Sequence, residues 1–415
     1  MIGREKVLSA LNHKQPDSVP IDFGGHRSSG IMAIAYRNLR NCLGMPDKPL
    51  RVFDLVQQLA VIDEDILDLF HVDTAEIGRA FLSEPGAWKP WILPDGGECW
   101  IPSFLDVRES PEGWVLYTPS GKASGIQKRG MLYFEQIEWP YIDGVPSNLE
   151  ELPSALAEVL WTQSPFPNLN AIDLETVVNR VETLRGSTDR AIIFPFGGQL
   201  FESAQYLCRQ DNFLALMAAD SAAAHRLLEK LLEIRMTQLD TLLTAIGPYV
   251  DIVGFGDDLG MQTGPLISPK MYREFLKPRH RALWTRAKEL ADVKVMLHSC
   301  GGIEPLLEDL IEAGLDAVNP VQTSAVGMDP VSLKKTCKDR LCLWGGGCDT
   351  QHILGSAAAD EVREHVMERL KILHPGGGFV FQQVHNIMAN VPPRNVEAMF
   401  QAVRDYSRHL EGDDL

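Results

Sequence analysis

Short apolar runs alternate with longer amphipathic segments over the second half of the chain. Each run predicts a buried strand, and the helical periodicity that follows it predicts a helix. The predicted strands are 191–196, 250–255, 293–297, 317–320, 341–344 and 379–381, and the helices between and after them are 200–217, 219–246, one entered at Ser268, 303–313, one entered at Asp329, 358–373 and one entered at 391–393. With a further strand at 19–23, this order predicts an α/β protein that folds as a distorted (β/α)8 TIM barrel.

The N-terminal part of the chain carries helical patterns and then a different kind of segment. Helices are predicted at 3–13, 31–42, 55–69 and 173–185. Between them, residues 76–165 are rich in Trp, Pro and Gly, and the short alternating runs 114–117 and 131–134 predict antiparallel hairpins. We therefore expect a single domain, 1–415, with a β-rich insertion or cap at about 76–165 that forms one wall of a pocket.

Composition narrows the class of protein. Hydrophobic residues make up 45% of the chain and charged residues 23%, which is typical of a soluble globular enzyme. The net charge of −17 argues against a nucleic acid partner. No apolar run is long enough for a membrane span and the N-terminus carries no apolar signal core, so we expect a cytoplasmic protein. The seven scattered cysteines do not form a disulfide framework, and most of them are expected to be buried and reduced.

The strand at 293–297 leads into the residues that carry candidate chemistry. It is followed by His298, Ser299 and Cys300, and then by two glycines. Side chains two apart on a strand point to the same face, so the imidazole and the thiol are expected to project together. The carboxyl ends of barrel strands are where such folds keep their active sites. His and Cys side chains at this position predict a zinc site, because zinc prefers nitrogen and sulfur ligands.

Other strand ends supply further candidates on the same rim of the barrel. Cys348 in a glycine-rich turn and His385 compete for the place of a third zinc ligand, since a catalytic zinc takes three protein ligands and leaves one position open. Asp257 and Asp258 are metal ligands, a general base or part of a helix-capping loop. The remaining polar residues expected on the rim are Asp22, Glu202, Asn319, Gln322, Asp349 and Asn386. The loop 24–30 is poor in apolar residues, and it either closes over a ligand or lies on the surface.

Several motifs together resemble the uroporphyrinogen decarboxylase superfamily. They are Phe-Gly-Asp-Asp-Leu-Gly at 255–260, Ser-Pro-Lys-Met-Tyr-Arg-Glu-Phe at 268–275, Leu-His-Ser-Cys-Gly at 297–301, Trp-Gly-Gly-Gly-Cys-Asp-Thr-Gln at 344–351, Val-His-Asn-Ile at 384–387 and Val-Pro-Pro-Arg-Asn-Val at 391–396. The similarity covers nearly the whole chain and is densest from 250 to 410. It implies a distorted barrel with the active cleft at the carboxyl ends of the strands, and a homodimer is common in such proteins.

Two branches of that superfamily lead to different expectations. The decarboxylases carry an Arg-rich N-terminal motif of the form Met-Arg-Gln-Ala-Gly-Arg, and only Arg27 in the loop 24–30 resembles part of it. The zinc-dependent cobamide methyltransferases carry His-x-Cys and a later Cys, and this chain has His298 and Cys300. The later Cys of that branch falls where this chain has His385, and Cys348 is a substitute from the neighbouring turn.

Three hypotheses follow. The first is a zinc-dependent methyltransferase that moves a methyl group between a small methylated substrate (a methoxy aromatic, a methylamine or a thiol) and a corrinoid held by a partner protein. It assigns zinc to His298, Cys300 and either Cys348 or His385. Its catalytic candidates are Asp257, Asp258, Glu202 and Arg27, and its substrate-binding candidates are Asp22, Asn319, Gln322 and Asn386. The second is a metal-free decarboxylase of a porphyrinogen-like substrate, using Arg27 with Asp22 or Asp257. The third is a non-catalytic corrinoid or tetrapyrrole carrier.

Overall fold

A computed structural model gives the structure of residues 1–82, 86–159 and 173–412. Its N-terminal part contains α1 (Gly3–Leu11), α2 (Ala33–Cys42), β1 (Val52–Asp54), β2 (Leu59–Ala60), α3 (Glu64–Leu69) and β3 (Thr74–Glu76), with 3-10 turns at Arg27–Ser29 and Ile77–Phe81. The predicted helix over 55–69 is wrong in its first half. There β1 and β2 form an antiparallel hairpin, and Gln58 takes a left-handed φ of 54° that no α-helix accommodates.

The β-rich segment predicted after residue 76 is confirmed within the described residues, although 83–85 and 160–165 lie outside them. Its elements are β4 (Trp88–Ile92), β5 (Glu98–Pro102), β6 (Asp106–Ser110), β7 (Gly113–Tyr117), β8 (Ala123–Lys128), β9 (Glu135–Gln136) and α4 (Leu152–Ala157). β4 pairs with β5, and β6 to β9 form a four-stranded antiparallel sheet. Residues 131–134 do not form the predicted strand, because the chain turns at 129–130, where Gly130 has a φ of 83°, and pairing resumes only at β9.

The second half of the chain alternates strands and helices as the pattern predicts. Its elements are α5 (Leu174–Ser187), β10 (Ala191–Gly197), α6 (Phe201–Cys208), α7 (Gln210–Ala219), α8 (Ser221–Ile246), β11 (Ile252–Gly256), β12 (Gly260–Met261), β13 (Gly264–Pro265), α9 (Pro269–Met271), a π-helical turn (Tyr272–Leu276), α10 (Lys277–Leu290), β14 (Lys294–His298), α11 (Leu307–Ala313), β15 (Ala317–Asn319), α12 (Pro330–Cys337), β16 (Cys342–Trp344), α13 (Ala359–Leu373), β17 (Phe379–Val380) and α14 (Pro393–Glu411). The helix predicted over 200–217 is divided into α6 and α7, because Arg209 between them has a φ of 72°.

Six strands of the second half and β3 from the N-terminal part form one curled parallel sheet. Its strand order is β17, β16, β15, β14, β11, β10, β3. The segment predicted as a strand at 19–23 lies between its two edges. Ile21 forms a parallel bridge with Phe381 beyond β17, and on its other side its carbonyl accepts a hydrogen bond from Asp73, directly before β3. The sheet is therefore brought round into a ring, as a TIM-barrel-like fold requires.

Helix α1 closes one end of this ring. Its buried residues Val7, Ala10 and Leu11 form a cluster with inward-facing residues of six barrel strands. The opposite face of each strand packs in the main core against the surrounding helices, which is the alternation expected of barrel strands. With α1 at the amino ends of the strands, a ligand enters from the carboxyl ends.

Helix α8 is the longest helix, with 26 residues, and it carries charges along its length. Among the described residues, no helix combines the length and the apolar content needed to cross a bilayer.

Candidate active site

His298 is the last residue of β14, and Cys300 follows two residues later. The prediction that their side chains project together agrees with the geometry, in which Cys300 Sγ lies 3.6 Å from His298 Nε2. The turn that follows fits tightly against the β12–β13 hairpin. A Cβ at Gly301, whose φ is 85°, would lie 2.4 Å from the backbone of Gly260, so only glycine fits there.

His385, in the loop after β17, joins this pair. Its ring centroid lies 5.8 Å from that of His298. One donor atom from each of His298, Cys300 and His385 lies within 4.8 Å of the other two. Two imidazole nitrogens and one thiol therefore converge at the carboxyl ends of β14 and β17, in a group that we call the donor cluster.

Cys348 is not brought to the donor cluster. Its thiol is fully buried and lies 4.0 Å from the carbonyl oxygen of Asp349, within hydrogen-bonding reach for sulfur. Its backbone pairs with Gln383 in a parallel bridge. Of the two candidates for the third position, the geometry places His385 beside His298 and Cys300 and places Cys348 in the core. Asp349 also faces away from the donor cluster, since its carboxylate accepts from the backbone of Gln351 and His352.

A second layer of polar side chains orients the donor cluster. Asn319, at the end of β15, lies with its Oδ1 atom 3.0 Å from His298 Nδ1. The hydroxyl of Ser28 donates to the same oxygen at 2.6 Å, and the amide of Asn319 donates to Gln382 at 2.7 Å. Asn319 is fully buried. It therefore supports a donor residue rather than contacting a ligand in the cavity.

Burial sets the protonation of the donor residues. It lowers the pKa of His385 to about 4, with the neighbouring His298 as a smaller cause, so the ring is neutral and keeps a free lone pair. The pKa of the Cys300 thiol lies well above its ordinary value because of burial and the nearby Asp258 and Glu202 carboxylates. His26, whose ring centroid lies 5.4 Å from that of His298, has a pKa well below its ordinary value for the same reason of burial.

Two carboxylates stand beside the donor cluster. Asp258 accepts a hydrogen bond from the backbone of Cys300 at 2.8 Å, and its Oδ1 lies 3.6 Å from His298 Nε2. Glu202, in the first turn of α6, accepts one from the Tyr206 hydroxyl at 2.6 Å. Burial, followed by the charges of Asp258 and Asp257, raises the pKa of Glu202 well above its ordinary value. These surroundings favour the protonated form of the Glu202 carboxyl.

These residues line a cavity of about 380 Å³ at the carboxyl ends of the strands. Its wall includes the donor cluster, five aromatic side chains, three carboxylates and Arg27. The aromatic residues are Phe53, Tyr133, Phe196, Tyr206 and Phe255, and the carboxylates are Glu76, Glu202 and Asp258. Arg27 Nε is held 2.8 Å from the buried carboxylate of Asp54. Tyr133 comes from the β-rich segment, which agrees with the prediction that this segment contributes one wall.

Asp257 has a structural position, although we expected it at the site. Its carboxylate is buried and accepts hydrogen bonds from the backbone of Leu200 and Glu202 at the start of α6. His280 Nε2 lies 2.9 Å from its other oxygen. Of the three roles considered for this residue, the structure shows the helix-capping one, since Asp257 does not reach the cavity wall.

Asp22, Gln322 and Asn386 are not among the residues that line the cavity. Asp22 is fully buried, accepts hydrogen bonds from Thr74 and Trp344, and therefore stabilises the ring closure. Gln322 accepts from the backbone of Gly301 at 2.8 Å. Asn386 accepts from Gly30 at 2.9 Å and donates to Gln57. The hydrogen bonds of Gln322 and Asn386 hold loops of the rim in place.

Sequence reasoning missed Glu76, Tyr206 and His26 as cavity residues. Glu76 ends β3, a strand of three residues that no pattern predicted. Tyr206 lies one helical turn after Glu202, and that spacing could have indicated it. His26 belongs to the loop 24–30, which was expected either to close over a ligand or to lie on the surface, and its ring centroid lies 5.4 Å from that of His298.

A comparison with known proteins decides the family. The family model described as "Uroporphyrinogen decarboxylase (URO-D)" matches residues 136–406, more than half of the chain. The chain belongs to the uroporphyrinogen decarboxylase family. This confirms the resemblance carried by the motifs between 250 and 410, and it makes the chain a member of a superfamily of enzymes.

Relatives of this family member are distant. A protein named uroporphyrinogen decarboxylase from Pseudoalteromonas atlantica is 26% identical over 287 residues, which cover 66% of this chain and 74% of that protein. A protein of the same name from Methylococcus capsulatus is 26% identical over 357 residues, covering 79% of this chain and 97% of that protein.

A solved structure also resembles this uroporphyrinogen decarboxylase family member over nearly its full length. It is described as a methyltransferase from Methanosarcina mazei, with a TM-score of 0.59 and 15% sequence identity, covering 98% of this chain and 99% of the other. At that identity the likeness shows the shared barrel fold alone.

Proposed function

We propose that this protein is a zinc-dependent methyltransferase that moves a methyl group between a small methylated substrate and a corrinoid held by a partner protein. The observation that carries the proposal is the convergence of His298, Cys300 and His385, whose donor atoms lie within 4.8 Å of one another. The fold shared with a protein described as a methyltransferase supports it. The substrate is a methoxy aromatic, a methylamine or a thiol.

The donor set fits zinc. Two imidazoles and one thiol are ligands that suit zinc, and three protein ligands leave one position for a substrate atom. When bound, zinc supplies Lewis acidity to a thiol sulfur or a methoxy oxygen. Demethylation transfers the methyl group without its bonding electrons to the cob(I)amide, so the substrate heteroatom keeps the electron pair and an ether oxygen then takes a proton. Methylation of a thiol runs in the opposite sense and releases the thiol proton.

The residues of this chain supply position and protons. Asn319 orients His298 through its 3.0 Å contact. Glu202 holds or accepts a proton at its carboxyl oxygens, and the 2.6 Å bond from Tyr206 fixes that group in the cavity. The aromatic wall excludes water, and the cavity opens at the carboxyl ends of the strands, where a corrinoid protein is able to present its cobalt.

The second candidate is a metal-free decarboxylase of a carboxylated, porphyrinogen-like substrate. The names of the two relatives described above favour it. The cavity wall argues against it, because Arg27, the guanidinium that lines the cavity, is already paired with Asp54 and is not free to bind a substrate carboxylate. We therefore place the methyltransferase first.

Metal content of the purified full-length protein tests the proposal. After a reducing, chelator-free preparation, mass spectrometry should find about one zinc per chain. His298→Ala, Cys300→Ala and His385→Ala should each lose it. Cys348→Ala tests the alternative third ligand and should keep it, and Cys42→Ala serves as a matched control because Cys42 is an exposed thiol outside the cavity.

Activity distinguishes the hypotheses further. The zinc-loaded protein should transfer methyl groups to or from cob(I)alamin, and the three ligand variants should not. A wild-type protein without zinc that releases carbon dioxide from a porphyrinogen would establish the decarboxylase. Tight tetrapyrrole binding without zinc and without turnover would establish a carrier.

A further inference from the structure

Glu76 is a buried carboxylate that the proposed methyl transfer does not use. It is the last residue of β3, it is 5% exposed, and it lines the cavity. The backbone of Gly78 donates one hydrogen bond to its carboxylate, but Oε1 has no hydrogen-bond partner within the described part of the chain. A buried polar atom without a hydrogen-bond partner costs free energy of folding. The unpartnered Oε1 of Glu76 therefore points to a ligand that supplies the missing partner.

The surroundings of Glu76 indicate the chemistry of that ligand. Three carboxylates and five aromatic side chains share one cavity wall. A bound cation favours the ionised form of a neighbouring carboxyl group, and aromatic faces attract alkylated ammonium groups through the ring quadrupole. A neutral ether of similar size would use the aromatic surface but would leave Glu76 Oε1 without a partner.

Arg27 does not add an unpaired positive charge to the cavity wall. Its guanidinium lines the same space, but its Nε is 2.8 Å from Asp54, a carboxylate that is almost fully buried. That pair is neutral as a unit.

We propose that the substrate of this cavity carries a positively charged nitrogen, and that Glu76 and the aromatic wall bind it. This inference rests on the proposed function, and it names the substrate class for the same site. A quaternary or protonated nitrogen has no lone pair for a metal. The charged group is therefore bound at Glu76, and the heteroatom that exchanges the methyl group lies at the donor cluster. The substrate class is a small aminated thiol or ether, with the two groups at opposite ends.

Equilibrium binding tests charge recognition without any methyl transfer. Choline and its neutral carbon analogue, in which a tert-butyl group replaces the trimethylammonium group, have nearly the same shape. Calorimetry on the full-length protein should show choline binding roughly tenfold tighter than the analogue. Glu76→Gln keeps the shape of the side chain and should remove that preference. The control Glu112→Gln alters an exposed carboxylate in the β6–β7 turn and should keep it.

The outcomes separate this inference from the proposed function. Equal binding of the two compounds to the wild type, or an unchanged choline preference in Glu76→Gln, would overturn it. So would tighter binding of veratrole, a neutral methoxy aromatic, than of choline. Because the measurement needs neither zinc nor a corrinoid, a protein that prefers choline but holds no zinc would refute the methyltransferase and retain the charge recognition. Thermal melting of Glu76→Gln confirms that a loss of binding is not a loss of fold.

Discussion

The Nδ1 atom of His298 lies 3.0 Å from the side-chain oxygen of Asn319 on the neighbouring strand. This contact directs the other ring nitrogen toward Cys300, whose sulfur is 3.6 Å away. Asn319 is itself fixed by Ser28, in the loop 24–30, and by Gln382, which follows β17. The orientation of a proposed zinc ligand therefore depends on a buried amide that touches neither zinc nor substrate.

Replacing that amide should weaken metal binding without removing a ligand. We expect Asn319→Ala to lower zinc affinity about 10- to 100-fold, because outer-shell partners fix the tautomer and the ring orientation of a ligating histidine. A competitive chelator titration measures this. Asn395→Ala is the matched control, since Asn395 is also buried but donates to the carbonyls of Leu354 and Ala357. Zinc affinity equal to that of the wild type in Asn319→Ala would refute the orienting role.

Asp257 and Asp258 should respond differently to the same substitution. Asp257→Asn weakens the hydrogen bonds at the start of α6 and the contact with His280, so we expect a loss of about 2 to 3 kcal/mol in the free energy of unfolding. Asp258→Asn changes a side chain at the cavity wall and should reduce turnover with a much smaller effect on stability. Urea denaturation and methyl transfer measured on both variants check this. A stability loss at Asp258 as large as that at Asp257 would contradict the assignment.

The barrel and the His298–Cys300 pair could be predicted because both depend on local patterns. A buried strand such as β14 is visible in the sequence as an apolar run. The two-residue period of a strand then places His298 and Cys300 on one face. The alternation of such runs with helices then indicates a parallel sheet, and the carboxyl ends of its strands indicate where the site lies.

The rest of the site depends on contacts that no local pattern contains. Asp257 and Asp258 are neighbours in the sequence, but only the path of the loop after β11 decides which one caps α6 and which one faces the cavity. The choice of His385 over Cys348 follows from the direction of two loops. Glu76 could not be predicted because β3 has only three residues, too few for a period of two to be visible.

The buried Glu76 should make the protein less stable as pH rises. Burial raises its pKa to about 8, from an ordinary value of 4.5. Between these values the folded protein binds a proton that the unfolded chain has lost, so stability falls as pH increases through this window. Glu76→Gln lacks this effect and should be more stable than the wild type near pH 8, by at most roughly 5 kcal/mol, with little difference near pH 4.5. Urea midpoints at both ends of the range measure it, and an offset independent of pH would contradict the assignment.

The same titration should appear in the binding of a cation. In the empty cavity Glu76 is largely protonated at neutral pH, because its pKa is about 8. A bound cation favours the ionised form, so choline affinity should increase from about pH 6 and level off above about pH 8, by at most tenfold per pH unit. The charged groups nearest to Glu76 are Arg27, which is paired with Asp54, and Arg79, which is paired with Glu64.

Calorimetry at several pH values, in buffers of different ionisation enthalpy, measures both the slope and the proton released. Glu202 shares the cavity, and burial also raises its pKa, so the assignment needs a variant. Glu76→Gln should bind choline weakly with a flat pH profile. If the variant keeps the slope of the wild type, the titrating group is Glu202 and the charged nitrogen lies beside the donor cluster. A flat wild-type profile would show that neither carboxylate ionises when the cation binds.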